Sequence, residues 1–193
     1  MPHRVLVIQG HPRAESLCGA LAHAYAEGAR ARAHDVRQLD LSSLGFDPVL
    51  HGGFKGHQAL EPGLATAQED LAWADHLVFV YPVWWGGPPA VLKGFVDRTF
   101  LPGFAFKYRA NSALWDKLLT GKSARLIVTA DSPGWWLSLV TGNPAVKLMK
   151  GPVLHFCGVD PVRTTVLPQV RKSSPERRAA WLSAVRQLGS EAA

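Results

Sequence analysis

Two pairs of adjacent tryptophans stand out among the residues that could do chemistry. Trp84 and Trp85 follow an apolar run at residues 76–80, and Trp135 and Trp136 follow a later apolar run. Proline and glycine flank both pairs and fix the paths that the two loops can take. Exposed tryptophan surface is costly unless a partner covers it, so a flat aromatic ligand would suit these loops. The alternative for the first pair is that one tryptophan caps the core and the other meets a partner subunit. For the second pair it is a surface turn whose aromatic rings pack on the following segment.

A third candidate loop, GHPRAES at residues 10–16, leads into a helical pattern. The first turn of a helix has free N–H groups and a partial positive charge, so this loop could hold a phosphate with help from His11, Arg13 and Ser16. Its spacing is neither GxGxxG nor GxxxxGK[ST], which argues against dinucleotide-binding dehydrogenases and nucleoside triphosphatases. The alternative is a capped strand-to-helix turn with an incidental histidine.

The order of secondary-structure elements places these loops together. Hydrophobic patterns predict strands at residues 4–9, 34–41, 76–81, 125–129 and 161–167. They predict helices at residues 16–32, 64–73, 88–99, 144–157 and 175–188, the third opened by Pro88 or Pro89 and the fourth kinked or broken near Gly151-Pro152. Residues 42–62 form a long excursion rich in glycine and proline.

Alternating strands and helices predict an α/β fold with a parallel sheet and helices on both faces. Five such strands fit a flavodoxin-like, doubly wound, five-stranded sheet in the order 2-1-3-4-5, where ligands bind at the loops after strands one, three and four. Those loops are the three already singled out. A chain of 193 residues with 47% hydrophobic content has room for one such core, so we expect a single domain over residues 1–193.

Composition excludes several classes of function. The net charge of +6 is not concentrated in a nucleic-acid-binding motif, so we expect no nucleic-acid partner. No apolar segment approaches 20 residues and the start of the chain lacks a signal pattern, which predicts a cytoplasmic protein without membrane insertion. Cys18 and Cys157 lack metal-ligand spacing and the eight histidines are scattered, so we expect no metal site.

Several motifs that extend over nearly the whole chain carry a family resemblance. They are GHPR at 10–13 with Ser16, YPVWW at 81–85, PPAVLKGF at 88–95, FAF at 104–106 and LHFCG at 154–158. Through them the chain resembles the NAD(P)H:quinone oxidoreductase family of flavodoxin-like flavoproteins. The resemblance implies a homodimer that binds FMN or FAD and passes a hydride from NAD(P)H to a small quinone-like acceptor by a ping-pong route.

The same resemblance implies roles for individual residues. Those expected to bind the cofactor are His11, Arg13, Ser16, Leu17, Pro82, Val83, Trp84, Trp85, Thr129, Asp131 and Ser132. Those expected at the catalytic centre are Trp136, Phe106 and Tyr108. The first loop would hold the flavin phosphate and ribityl chain, and the second would line the ring with backbone N–H groups near its polar edge. The third would close the opposite edge of the ring. Phe106 and Tyr108 would wall the substrate site of the neighbouring subunit.

Three departures from the family pattern change what is expected. The usual Thr-Thr-Gly-Gly is VTAD at 128–131, which adds a side chain and a negative charge where the family has backbone alone. Trp136 stands where animal members have a tyrosine, and Gly142-Asn143 stand where a histidine would follow, so the tyrosine–histidine proton relay is absent. Water or the flavin N–H would then deliver the proton. The chain also ends without the C-terminal extension of the longer animal members, which favours FMN over FAD.

Two other functions compete with the oxidoreductase interpretation. One is a flavin-binding regulatory subunit of a transporter, such as a potassium efflux system, with incidental reductase activity. The other is a small electron-carrier flavodoxin, which the basic net charge disfavours because such carriers are commonly acidic.

Overall fold

A computed structural model describes residues 2–56 and 58–192. The strands are β1 (Arg4–Gln9), β2 (Asp35–Asp40), β3 (His76–Pro82), β4 (Phe106–Tyr108), β5 (Trp115–Lys117), β6 (Ser123–Thr129) and β7 (Val162–Leu167). The α-helices are α1 (Leu17–Ala31), α2 (Pro62–Trp73), α3 (Ala90–Thr99), α4 (Pro144–Leu148) and α5 (Pro175–Ser190). The five longer strands form a parallel sheet in the order β2-β1-β3-β6-β7, which confirms the predicted α/β fold and the order 2-1-3-4-5.

The sequence pattern of each strand reflects its place in the sheet. Every residue of β3 is buried, because this strand lies between β1 and β6 and has helices on both faces. Half of the residues of β2 are exposed and only Leu39 is buried, as its polar and apolar alternation predicts for an edge strand. Parallel register brings the carboxyl ends of β1, β3 and β6 to the same edge, with Gln9 opposite Val80 and Pro82 opposite Thr129.

Two apolar layers cover the sheet. On one face, side chains of β1 and β3 pack with α1 and α5, and these two helices approach closely at glycines. A Cβ on Gly28 would lie 1.8 Å from the carbonyl oxygen of Arg186, so the crossing admits no side chain there. On the other face, β1, β3 and β6 pack against α2, α3 and the helical segment that begins with α4.

The second half of the chain has one irregular helix and one hairpin that was not predicted. The irregularity predicted near Gly151-Pro152 is a π-helical stretch, Met149–His155, into which α4 continues without a break and whose wider turn includes Pro152. The hairpin is antiparallel, is formed by β4 and β5, and pairs Phe106 with Lys117 and Tyr108 with Trp115. Strands of three residues are too short to show a period.

Proline positions explain the smaller differences in helix bounds. The second helix begins at Pro62, two residues before the predicted start, since proline is well suited to the first turn. The third begins at Ala90, with Pro89 as its N-cap. Within the described part of the predicted excursion over residues 42–62 lies a short 3₁₀ turn, Gly53–Lys55. Among the described residues, no helix combines the length and apolar character needed to cross a membrane.

Candidate functional site

A cleft of about 240 Å³ lies at the carboxyl ends of β1, β3 and β6, where the sheet order places the ligand site of this topology. The residues that line it are His11, Arg13, Ser16, Leu17, Cys18, Pro82, Val83, Trp84, Thr129, Ala130, Asp131 and Val170. All the predicted cofactor-binding residues except Trp85 and Ser132 are among them. The structure therefore brings three loops that are distant in sequence to one cleft.

The first loop is held by Gln9, a residue that the sequence analysis did not single out. Its buried side chain accepts a hydrogen bond from the N–H of His11 through Oε1 and donates to the carbonyl of Arg13 through Nε2, at 2.9 Å. Both ends of the turn are thus fixed to the last residue of β1. A polar residue ending an apolar strand was the signal that could have identified it.

Hydrogen bonding fixes the tautomer of His11. Its Nδ1 accepts the N–H of Arg13 at 3.0 Å, and burial lowers the pKa of the imidazole below its usual 6.5. A neutral ring that accepts at Nδ1 carries its proton on Nε2, so His11 can donate a hydrogen bond to an anion. Trp84 packs edge-on against this ring, with 5.5 Å between ring centroids.

The N-terminus of α1 forms the floor beside this loop. Ser16 is the N-cap, as predicted, and its Oγ accepts the N–H of Gly19 at 3.1 Å. A Cβ on Gly19 would lie 2.1 Å from the carbonyl oxygen of Ala14, so glycine allows the loop to lie close to the first turn. The positive end of the helix and His11 together make this end of the cleft suitable for a phosphate.

Cys18 and Thr129 meet at the base of the cleft, with 3.4 Å between Sγ and Oγ1. Burial raises the pKa of the Cys18 thiol to about 11. The thiol therefore stays protonated at neutral pH, and this cysteine is not a reactive nucleophile. Its role in the cleft is packing.

The second loop is a tight two-residue turn. Trp84 and Gly87 exchange two main-chain hydrogen bonds of 2.9 Å, and the residues between them, Trp85 and Gly86, have φ values of 50° and 76°. Positive φ at both central positions is typical of a type I′ turn. This turn places Trp84 in the cleft and leaves Trp85 fully exposed at the tip, outside the cleft lining.

The turn also limits the main-chain donors of the second loop. The N–H of Val83 bonds the carbonyl of Thr129 at 2.8 Å, and those of Trp84 and Gly87 bond within the turn. The main-chain N–H groups of Val83, Trp84 and Gly87 therefore already have acceptors within the chain. Trp84 contributes an aromatic surface to the cleft instead.

The third loop is tied to the segment after β7. The N–H of Val170 bonds the carbonyl of Ala130 at 3.1 Å, and the N–H of Arg171 bonds Asp131 Oδ1 at 2.9 Å. Val170 thereby becomes part of the cleft wall, although nothing in the local sequence marks it. Ser132, the next residue of the loop, does not line the cleft.

The three predicted catalytic aromatic residues lie outside this cleft in the single chain. Phe106 and Tyr108 belong to the β4–β5 hairpin and line a second, apolar cavity of about 210 Å³ with Phe54 and Phe156. Ring centroids of Phe106 and Phe156 are 5.1 Å apart. The third, Trp136, begins a single π-helical turn, Trp136–Val140.

The segments that follow β3 and β6 expose several apolar side chains. They are Trp84, Trp85, Trp135, Trp136, Leu139 and Val140. Leu139 is 82% exposed and Trp135 59% exposed, which is unusual for a monomer in water. A capped helix N-terminus near His11 at one end of the cleft would suit a phosphate, and the Trp84 ring would suit a flat ring.

Comparison with known proteins agrees with this geometry. A family model, Flavodoxin_2, described as a flavodoxin-like fold, matches residues 3–189. The chain is 27% identical to NAD(P)H dehydrogenase [quinone] 1 of Cavia porcellus over 97% of this chain and 78% of that protein. It superposes on the crystal structure of Smu.1420 from Streptococcus mutans UA159 with a TM-score of 0.82 and 31% identity, covering 97% and 98% of the two chains. The NAD(P)H:quinone oxidoreductase of Methanothermobacter marburgensis has the same fold, with a TM-score of 0.83 at 23% identity and 98% of each chain covered.

Proposed function

The chain belongs to the Flavodoxin_2 family of flavodoxin-like proteins, and from this premise we propose that it is a flavin-dependent NAD(P)H oxidoreductase. Its acceptors are quinones or related electron-poor aromatic compounds, and FMN is the expected cofactor. Relatives named as NAD(P)H dehydrogenases [quinone] match nearly the whole chain, which supports the proposed reaction.

The proposal rests on the cleft formed by α1 and the loops after β1, β3 and β6. The residues present fit a flavin mononucleotide. The helix N-terminus capped by Ser16 and the Nε2–H of neutral His11 suit a phosphate, and Trp84 suits a flat ring. Gln9 and Gly19 keep the first loop in the shape that this requires.

The protein's part in the reaction is to bind, orient and shield. A bound flavin would supply hydride transfer between NAD(P)H and the acceptor. His11 and the first turn of α1 hold its phosphate, and the aromatic residues bordering the cleft exclude water and position donor and acceptor in turn. Since donor and acceptor share one space, we expect ping-pong kinetics.

We also propose that the active form is a homodimer. The exposed surface formed by Trp85, Trp135, Trp136 and Leu139 needs a cover, and a second copy would provide it. In such a dimer Phe106 and Tyr108 would wall the substrate site of the neighbouring subunit. Sedimentation equilibrium should give twice the monomer mass of 21.0 kDa.

A cytoplasmic location is the last part of the proposal. Cys18 and Cys157 are both buried free thiols, which fits a reducing compartment. A fluorescent fusion expressed in the source cell should distribute through the cytoplasm, and retention at the envelope would contradict the proposal.

The test of the proposed function is an absorbance titration. Purified protein reconstituted with FMN should show bound flavin that bleaches when NADH or NADPH is added anaerobically and recovers when a quinone follows. Ser43→Ala, on the exposed turn after β2, is the matched control for Ser16→Ala, and only the latter should weaken FMN binding. If the wild-type protein retains neither FMN nor FAD, the site assignment fails.

A further inference from the structure

Asp131 is the departure from the family pattern that the structure explains most directly. Its carboxylate is hydrogen-bonded to the backbone, because Oδ1 accepts the main-chain N–H of Arg171 at 2.9 Å. The guanidinium of Arg171 lies further away, at 3.9 Å from Oδ2, and its side chain is largely exposed. The closer contact is therefore between the carboxylate and the backbone.

The segment that Asp131 holds has an unusual backbone. After β7 ends at Leu167, Gln169 adopts a left-handed conformation with φ of 59°, and the 3₁₀ turn Val170–Lys172 follows. A left-handed conformation in a residue other than glycine costs energy, so contacts from outside must maintain this turn. Val170, the residue that enters the cleft wall, lies in that turn.

External contacts hold the turn from two sides. On the side of α5, the guanidinium of Arg178 donates to the carbonyl of Val170 at 3.2 Å and to Ser173 Oγ at 2.8 Å. On the side of the cleft, the carbonyl of Ala130 accepts the N–H of Val170, and Asp131 accepts that of Arg171. Among these described contacts, Asp131 provides the only side-chain acceptor that holds the turn on the side of the cleft.

We propose that Asp131 is a positioning residue that affects cofactor binding indirectly. Its carboxylate holds the Val170–Lys172 turn, and this turn places Val170 in the wall of the flavin cleft. The inference rests on the proposed function for the identity of the ligand. A glycine at position 131 would leave the Arg171 N–H without this acceptor. The carboxylate therefore compensates for the strained turn that follows β7.

Two measurements on a small set of variants test the tether. The first is hydrogen–deuterium exchange of the Arg171 amide in cofactor-free protein, and the second is the dissociation constant for FMN from quenching of flavin fluorescence. Asp131→Ala removes the acceptor, whereas Asp131→Asn keeps an acceptor oxygen and removes the charge. Arg171→Ala keeps the N–H and removes the guanidinium. Asp35→Ala, at the amino end of edge strand β2, controls for loss of a remote carboxylate.

Asp131→Ala should speed exchange at Arg171 about tenfold and weaken FMN binding about fivefold, the effect of losing one hydrogen bond. Asp131→Asn, Arg171→Ala and Asp35→Ala should stay within about twofold of wild type in both measurements. Rescue by asparagine is the result that a direct charge effect on the flavin would not give.

Three results would overturn the inference. If Asp131→Ala weakens FMN binding while Arg171 exchange is unchanged, the carboxylate acts by direct contact. If asparagine behaves like alanine, the charge matters and the hydrogen bond does not. If Asp131→Ala changes neither Arg171 exchange nor FMN binding, the hydrogen bond does not position the turn. Failure of the wild-type protein to bind flavin is a separate result, which would overturn the proposed function whatever the exchange data show.

Discussion

Arg98 and Glu61 join α3 to the start of α2 through two partly buried contacts, Nη2 to Oε2 at 2.8 Å and Nη1 to Oε1 at 3.2 Å. The Arg98 side chain is only 1% exposed. The same guanidinium also donates to the carbonyls of Asp47 and Ala59, so one side chain contacts the excursion between β2 and α2 at two distant points.

Arg98→Met should therefore destabilise the protein strongly. Methionine has similar length but no donor, so the carbonyls of Asp47 and Ala59 lose this donor and Glu61 keeps the N–H of Asp47. The expected cost is about 2–3 kcal/mol in the free energy of unfolding. Chemical denaturation measures it. Lys93→Ala is the matched control on the same helix, because its ion pair with Asp97 is exposed and should contribute about 0.3–0.5 kcal/mol. A loss below 1 kcal/mol for Arg98→Met would show that the excursion does not depend on this contact.

His76 predicts a dependence of stability on pH. It is buried at the start of β3, 3.1 Å from Tyr25 Oη and 2.7 Å from Ser123 Oγ, and burial lowers its pKa to about 3. Between that value and its usual 6.5 the unfolded chain binds a proton that the folded chain does not. Stability is therefore complete above pH 6.5 and falls as the pH falls, by about 1.4 kcal/mol per unit.

The free energy of unfolding should drop by about 2 kcal/mol between pH 7 and pH 5 through this group. The pKa of Asp75 is lowered to about 2, mainly by its hydrogen bond from Arg4. This carboxyl stays ionised between pH 7 and pH 5 and adds nothing to the change in stability over that range. His76→Gln should show a correspondingly smaller change when both proteins are unfolded chemically at each pH. Equal pH dependence in the two proteins would refute the assignment.

Gly19→Ala should weaken flavin binding although alanine favours helices. The added Cβ would collide with the carbonyl of Ala14, so the loop before α1 must move away from the phosphate site. We expect the dissociation constant for FMN to rise about tenfold or more, on the scale of 1.4 kcal/mol. Gly151→Ala is the matched control, because a Cβ there meets nothing within 4 Å. FMN affinity unchanged in Gly19→Ala would remove this loop from the phosphate site.

Local patterns predict most of the fold but only part of the site. The apolar runs of β1, β3 and β6 predict buried strands, and the carboxyl ends of parallel strands meet, so the cleft follows from the sequence. What could not be predicted depends on contacts between distant residues. Val170 enters the cleft because Ala130 and Asp131 hold its turn. Trp84 and Trp85 are the same residue type, yet the type I′ turn places Trp84 in the cleft lining and leaves Trp85 exposed at the tip.

Trp85→Asn should separate stability from activity. Trp85 occupies the first central position of the type I′ turn, where asparagine is preferred, and within a single chain its fully exposed side chain has little packing to lose. Chemical denaturation should show stability raised by about 1 kcal/mol. Loss of the aromatic surface should lower kcat/KM for a quinone about fivefold or more, the value of one aromatic contact. Gly86→Ala, at φ of 76°, should change stability in the opposite direction. A gain in stability without loss of activity would show that the Trp85 side chain does not contribute to catalysis. Loss of both stability and activity would show that the folded protein needs this side chain, either in the loop or in the proposed dimer contact.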